Sequence, residues 1–199
     1  MAKSVKFSDC LSEFNSIIAD VEARRFSPIY LLAGDEGYFI DALADKLSTT
    51  ILNEAERSFN QITVYGLDSN VGNVVNLCRQ MPMMGAYEVI IVREAQQLAK
   101  IENLVHYTSS PQATTILVIC YKNKEQGRGI DKRTAFYKSC VKNGRVFESV
   151  RPRDYEIDSW LSGYIAGKGM KIDPKAMAML KEHVGMDLGR MTREVDKLA

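Results

Sequence analysis

Pro28-Ile-Tyr-Leu-Leu-Ala-Gly-Asp-Glu-Gly37 is an apolar run that ends in a turn made of glycine and acidic residues. The unbroken run of Ile, Tyr and Leu predicts a strand buried on both faces, as in a parallel sheet that helices cover. Apolar residues then recur at helical spacing from Ile40 to Ile51, so the turn is expected to open a helix. A strand that passes through a glycine turn into a helix is typical of a β-α-β unit.

The same alternation of strand and helix continues to residue 149. Apolar and β-branched runs predict four more strands, over residues 61–65, 88–93, 115–120 and 145–149. Further helices are expected from Ser8, from Asn70, around Leu98 to Val105, and from Asp131 as N-cap to Gly144. We therefore predict an α/β fold, with a five-stranded parallel sheet flanked by helices.

The pattern changes after Pro152, where strand signals stop. Three helices are predicted, over residues 155–166, over residues 174–184, and from Leu188 to the end. We therefore expect an α/β domain over residues 1–150 and a small all-helical domain over residues 151–199. The last residues, Lys197-Leu-Ala199, bring no helix-ending signal, so this helix is expected to continue in a longer protein.

Composition excludes several classes of protein. The 199 residues are 46% hydrophobic and 26% charged, with a net charge of +1, which is typical of a soluble globular chain and not of a uniformly basic nucleic-acid binder. No uncharged apolar run is long enough for a membrane span, and no secretory signal is present. The four cysteines and two histidines show no close pairing, so neither a disulfide framework nor a metal site is expected.

The turn at Gly34 lies where a phosphate-binding loop would begin. Such a loop needs G-x-x-x-x-G-K-[ST], whose amides and lysine bind phosphate and whose hydroxyl holds magnesium. Here the lysine and the hydroxyl residue are missing, and Asp35 and Glu36 would repel phosphate. No catalytic residue and no cofactor is expected, although a divergent NTPase with an unusual phosphate site stays open as an alternative.

A basic stretch runs from Tyr121 to Arg153, with a local excess of seven positive charges. A charge run of this kind is usually a solvated face, and the alternative is contact with a nucleic-acid backbone, which needs only clustered Lys and Arg. The candidates for DNA-backbone contacts are Lys122, Lys124, Arg128, Lys132 and Arg133. A DNA-binding module therefore stays open as a second alternative.

Methionines cluster between the helix that starts near Asn70 and the third strand. Met81-Pro-Met-Met-Gly85 places Met83 and Met84 side by side in a bend that Pro82 and Gly85 impose. Ordinary packing is one interpretation. The other is an exposed site for docking to a protein, because methionine adapts readily to apolar surfaces.

Four stretches in this order resemble the delta-subunit family of bacterial DNA polymerase III clamp loaders. They are Pro28 to Glu36, Met81-Pro-Met-Met-Gly-Ala-Tyr-Glu-Val-Ile-Ile-Val92, Thr115 to Ile119, and Trp160 to Leu198. The resemblance implies an AAA+ fold with a helical lid, a further collar domain beyond Ala199, and no ATPase activity. It also places Leu188 where nucleotide-sensing relatives carry a lid arginine.

The resemblance further implies a function. Met83 and Met84 match a hydrophobic pair that inserts into the peptide-binding pocket of the sliding clamp. The expected role is a non-catalytic subunit that binds and opens the clamp for loading onto primed DNA during replication. The implied partners are the clamp, the ATPase subunits and delta prime of the loader, and primed DNA, with a cytoplasmic place at the bacterial replisome and no membrane partner.

Overall fold

A computed structural model describes residues 5–83, 85–123 and 129–198. The chain folds into two compact units, Met1–Val150 and Arg151–Ala199. The first unit is a sheet with helices on both faces, and the second is helical in its described residues. In the described part of the chain, no helix is both long enough and apolar enough to cross a membrane.

The predicted five-stranded parallel sheet is confirmed in the first unit. Its strands are β1 (Ile29–Gly34), β2 (Gln61–Tyr65), β3 (Glu88–Arg93), β4 (Thr115–Lys122) and β5 (Arg145–Ser149), in the order β2-β3-β4-β1-β5. All pairs are parallel, and β1 lies between β4 and β5. From β1 the chain crosses to β2 at one edge of the sheet, returns through β3 and β4, and then passes to β5 on the other side of β1. The strand order therefore reverses next to β1, which is where open α/β sheets bind their ligands.

The helices of the first unit are α1 (Phe7–Glu22), α2 (Gly37–Thr50), α3 (Glu54–Asn60), α4 (Val71–Cys78), α5 (Val105–Thr108) and α6 (Ala135–Asn143). Helices α1 and α2 cover one face of the sheet, and α4 and α6 cover the other. Strand β1 is therefore buried along its whole length, as its apolar sequence predicts.

Four local features differ from the predictions. The sixth helix is capped by Thr134, whose hydroxyl accepts from the Tyr137 N–H, and Asp131 lies before the cap. The helix expected around Leu98 to Val105 is divided into two short 3₁₀ turns and the four-residue α5. Helix α3 was not predicted, and the first helix starts at Phe7 without a side-chain cap from Ser8.

The second unit consists, in its described part, of α7 (Asp154–Gly167), α8 (Pro174–Val184) and α9 (Leu188–Asp196). Asp173 caps α8 by accepting from the Ala176 N–H at 2.8 Å, with Pro174 at the first helical position. Apolar side chains of α7 and α9 form its small core: Ile157, Leu161, Ile165, Leu188, Met191 and Val195.

At Gly34, the end of β1 lies so close to the end of β5 that a residue with a Cβ atom would not fit. Gly34 has φ +140°, and a Cβ built there would lie 2.1 Å from the Ser149 carbonyl oxygen. The next two backbone amides also donate to Ser149. The Asp35 N–H donates to the Ser149 carbonyl at 3.1 Å, and the Glu36 N–H donates to the Ser149 hydroxyl at 3.2 Å. Glycine is therefore required at position 34.

We predict that Gly34→Ala lowers the free energy of unfolding by about 2 kcal/mol or more, since backbone strain and steric overlap add. Urea denaturation measures this loss. Gly163→Ala is the control, because Gly163 lies inside α7 with open space around it. There alanine should stabilise by roughly 0.5–1 kcal/mol, and equal effects of the two substitutions would contradict the steric account.

All four cysteines are free and buried. Burial raises the pKa of the Cys10 thiol to about 11 and the pKa values of Cys78, Cys120 and Cys140 to about 12. Because the thiolate is the reactive form, a disulfide reagent at pH 8 should leave the native protein unlabelled and should titrate four thiols in urea. Rapid labelling of the native protein would show that one of these sites opens.

Candidate functional site

The segment of residues 79–87, between α4 and β3, carries the most exposed methionines of the first unit's described residues. We call it the methionine segment. Met81 is 68% exposed and Met83 is 77% exposed. Met84, the other member of the predicted pair, lies outside the described residues.

Helix α4 sets where the methionine segment begins. Asn70 caps the helix by accepting from the Asn73 N–H at 2.9 Å, and Val74 and Cys78 are buried beneath it. The last helical carbonyl, that of Cys78, accepts from the buried Thr115 hydroxyl at 3.0 Å. The helix therefore ends against the start of β4, and the chain turns outward ahead of Pro82.

Helix α3 supports the middle of the segment. The Met83 N–H donates to the Asn60 side-chain oxygen at 2.9 Å, and Asn60 is fully buried at 0% exposure. Gly85 has φ +82°, and a Cβ built there would lie 2.4 Å from the Glu56 carboxylate. Glu56 is itself held, because its carboxylate accepts from the Asn53 N–H at 3.0 Å in a capping box.

The far end of the segment is held by an aromatic contact and by the sheet. The Tyr87 ring meets the Phe26 ring edge to face, with centroids 5.8 Å apart. The Glu88 N–H then donates to the Thr114 carbonyl at 2.8 Å as β3 begins. The backbone is thus supported at both ends and near its centre, while the Met81 and Met83 side chains are exposed.

Sequence reasoning missed the residues that support the segment. Met83 lies five residues beyond the end of α4, in a separate turn, and not on the helix itself. Asn60 and Glu56 were not singled out because α3 was not predicted. A signal for α3 was present, since Asn53-x-x-Glu56 is the spacing of a capping box.

A second candidate, the nucleotide corner, lies at the Gly34 turn. We use this name for residues 34–41 with the ends of β3 and β4. Glu36 caps α2 with its own carboxylate, which accepts from the Tyr38 N–H at 3.0 Å. A phosphate bound at the start of α2 would need the backbone amide that the Glu36 carboxylate already uses. The negative charge of that carboxylate would also repel the phosphate.

The side chains that would bind phosphate and magnesium are absent from the corner. Counted from Gly34, the P-loop lysine position holds Ile40, which is buried, and the hydroxyl position holds Asp41. A lysine from β4 does reach the corner, but the Lys122 ammonium lies 3.0 Å from Asp41 and 3.3 Å from Glu94. Burial alone would lower the Lys122 pKa, but the hydrogen bond and charge of Asp41, with Glu94, raise it instead.

The predicted DNA contacts fall into two groups. Lys124 and Arg128 lie outside the described residues. Lys122, Lys132 and Arg133 each pair with a carboxylate, Lys132 with Glu148 at 2.6 Å and Arg133 with Asp131 at 2.9 Å. A phosphate backbone would have to compete with these carboxylates, so contact with DNA stays a prediction.

A protein family and several solved structures match this chain. The family model of the DNA polymerase III delta subunit matches residues 30–148. No curated protein sequence matches the chain. Among solved structures, the Bacillus subtilis DNA clamp loader delta protein (YqeN) superposes with a TM-score of 0.71 at 18% identity, over 93% of this chain and 56% of that one.

Other solved structures share the fold more distantly. A DNA polymerase III gamma subunit-related protein of Thermotoga maritima has a TM-score of 0.53 at 11% identity, over 93% of this chain and 56% of that one. The RuvB Holliday junction branch migration motor of the same organism has a TM-score of 0.54 at 12% identity, over 96% and 61%. The chain thus spans little more than half the length of these proteins.

These findings define first an AAA+-like α/β fold, in which Ile40 and Asp41 stand where a phosphate-binding loop carries its lysine and hydroxyl residue. Within that class the family is also shown, because its model matches more than half of the chain. The chain belongs to the DNA polymerase III delta-subunit family.

We predict that the purified protein does not bind ATP usefully. Titration calorimetry with magnesium and ATP should show no saturable binding up to about 1 mM, a binding free energy weaker than about −4 kcal/mol. The reasons are the Glu36 cap and the apolar, buried Ile40.

Glu36→Ala is the matched variant for this titration. It removes the cap but leaves Ile40 and Asp41 in the positions of the lysine and the hydroxyl residue, so it should not restore binding. Tight, magnesium-dependent binding by the parent protein would contradict the interpretation and would favour the divergent NTPase.

Proposed function

We propose that this chain is the clamp-binding part of a clamp loader, and that it binds the sliding clamp through the methionine segment without using ATP. The observation that carries the proposal is the combination of an exposed Met83 side chain with a backbone that a buried Asn60 holds. Family membership supplies the class of partner. Opening of the clamp is proposed as the consequence of this docking.

Exposure of Met81 and Met83 has a cost in the free protein that a partner would remove. Burial of a methionine side chain stabilises by roughly 1.5–3 kcal/mol relative to exposure to water. Because the backbone is already supported, binding costs little further backbone entropy, and the main ordering cost is the rotamer freedom of the methionine side chains. Methionine also adapts to the shape of an apolar pocket better than a branched side chain does.

The wider assembly forms part of the same proposal. The ATPase subunits and delta prime of the loader, together with primed DNA, are the further partners, and the second unit, residues 151–199, is the helical lid. ATP-driven changes would then arise in other subunits, because the nucleotide corner here is closed by Glu36 and by the pairing of Lys122 with Asp41.

We predict that Met83→Ala combined with Met84→Ala weakens binding to the sliding clamp of the same organism by one to several powers of ten, at about 1.4 kcal/mol per tenfold. Surface plasmon resonance measures the dissociation constant. The melting temperature should hardly change, because Met83 is exposed; a core methionine cut to alanine would cost about 2–5 kcal/mol.

Met186→Ala is the matched control, since Met186 is an exposed methionine in the second unit. It should leave both clamp affinity and melting temperature unchanged. If the double variant kept full clamp affinity, the methionine segment would not be the docking site. A large fall in its melting temperature would instead place the pair in the core.

A further inference from the structure

Helix α3 supplies two side chains that contact the methionine segment, Asn60 and Glu56. It is a short helix of seven residues with a complete capping box, and it inserts the fully buried Asn60 beside an exposed segment. We propose that α3 is a rigid support that holds the methionine segment in its clamp-binding conformation, with Asn60 as the positioning residue. This inference rests on the proposed function.

Asn60 makes a specific hydrogen bond to a residue of the segment that is distant from it in sequence. The Asn60 side-chain oxygen accepts from the Met83 N–H at 2.9 Å across 23 positions of the chain. Asparagine is a poor residue for the interior of a helix, and here it lies at the end of α3, where the chain enters β2. Full burial of a polar side chain is tolerated when its hydrogen bonds are made.

A second contact from the same helix acts on the next part of the segment. Glu56 lies four residues before Asn60, so the two side chains project from the same face of α3. The Glu56 carboxylate occupies the space next to Gly85, and the left-handed backbone of Gly85 turns the chain past it. One face of α3 therefore contacts the segment at Met83 and next to Gly85.

The consequence for binding is preorganisation. A segment that is free in solution loses conformational entropy when it binds, and a segment already held in place loses less. Asn60 does not need to touch the clamp for this effect, because it is buried and acts on the Met83 backbone. Loss of the hydrogen bond should therefore weaken docking while the methionine side chains stay unchanged.

A double-mutant cycle tests the inference. Clamp affinity is measured for the parent, Asn60→Ala, Met83→Ala and the double variant. We expect Asn60→Ala alone to weaken binding about tenfold. In the Met83→Ala background the same substitution should change affinity by less than about twofold, because residues that act through one another are not additive. Amide hydrogen exchange at Met83 should become faster in Asn60→Ala.

Two further variants separate positioning from general loss of stability. Thr108→Val removes a buried hydroxyl that donates to the Leu104 carbonyl, away from α3, and should lower the melting temperature without changing clamp affinity. Gly85→Ala disturbs the contact with Glu56 at an exposed position, and should weaken clamp binding about as much as Asn60→Ala. Gly85→Ala carries the test if Asn60→Ala does not fold.

The outcomes distinguish the two proposals. If Met83→Ala binds the clamp as tightly as the parent, docking through the segment is wrong and the role of α3 falls with it. If Met83→Ala is weak but Asn60→Ala and Gly85→Ala bind normally, docking stands and the role of α3 is overturned. Unchanged exchange at the Met83 amide in Asn60→Ala, or equal loss of affinity in Thr108→Val, overturns it as well.

Discussion

The close approach of Gly34 to Ser149 is the constraint on which the first unit depends. It joins the carboxyl ends of β1 and β5 and supplies acceptors for the two amides that follow Gly34. The same contact orients Glu36 so that its carboxylate caps α2. In a nucleotide-binding relative of this fold the corner would be open to phosphate, whereas here the protein satisfies those groups internally.

Because the nucleotide corner is closed, the stability of this unit and its proposed docking surface do not depend on a bound nucleotide. The sheet and its flanking helices remain a stable scaffold, because their cohesion comes from the buried apolar strands and not from a ligand. The docking surface that we propose lies elsewhere, in the methionine segment between α4 and β3, where α3 contacts the backbone. This proposed surface would stay formed whatever nucleotide the proposed partners bind, because its support comes from α3 and not from a bound nucleotide.

Sequence patterns predicted the sheet well because its three central strands, β1, β3 and β4, are buried on both faces and the edge strands are also apolar or β-branched. The bounds of β2, β3 and β5 match the apolar runs residue for residue, and no other element competes for those runs. Short helices were harder, because α3 buries few apolar side chains and its periodicity is weak. The position of α6 shows the limit of cap signals, since Asp131 and Thr134 are both good caps and tertiary packing selects Thr134.

For the candidate site, the bend that Pro82 and Gly85 impose left packing and exposure both open, and only the family resemblance favoured the exposure that Met83 shows. The support from Asn60 did not follow from the sequence, because its hydrogen bond to Met83 joins residues 23 positions apart and only the folded chain brings them together. The hydrogen bonds from the Gly34 turn to Ser149 could not be predicted for the same reason, since they join residues more than 110 positions apart. Long-range polar contacts of this kind leave no periodic trace in the sequence.

The central claim is that the methionine segment enters an apolar pocket of the sliding clamp. Methyl NMR of the protein labelled at its methionine methyl groups tests it most directly. On addition of the clamp, the account predicts that the Met83 resonance shifts strongly, with Met81 beside it, while the exposed Met179 and Met186 of the second unit keep their chemical shifts. Binding of the clamp with an unchanged Met83 resonance would contradict the account.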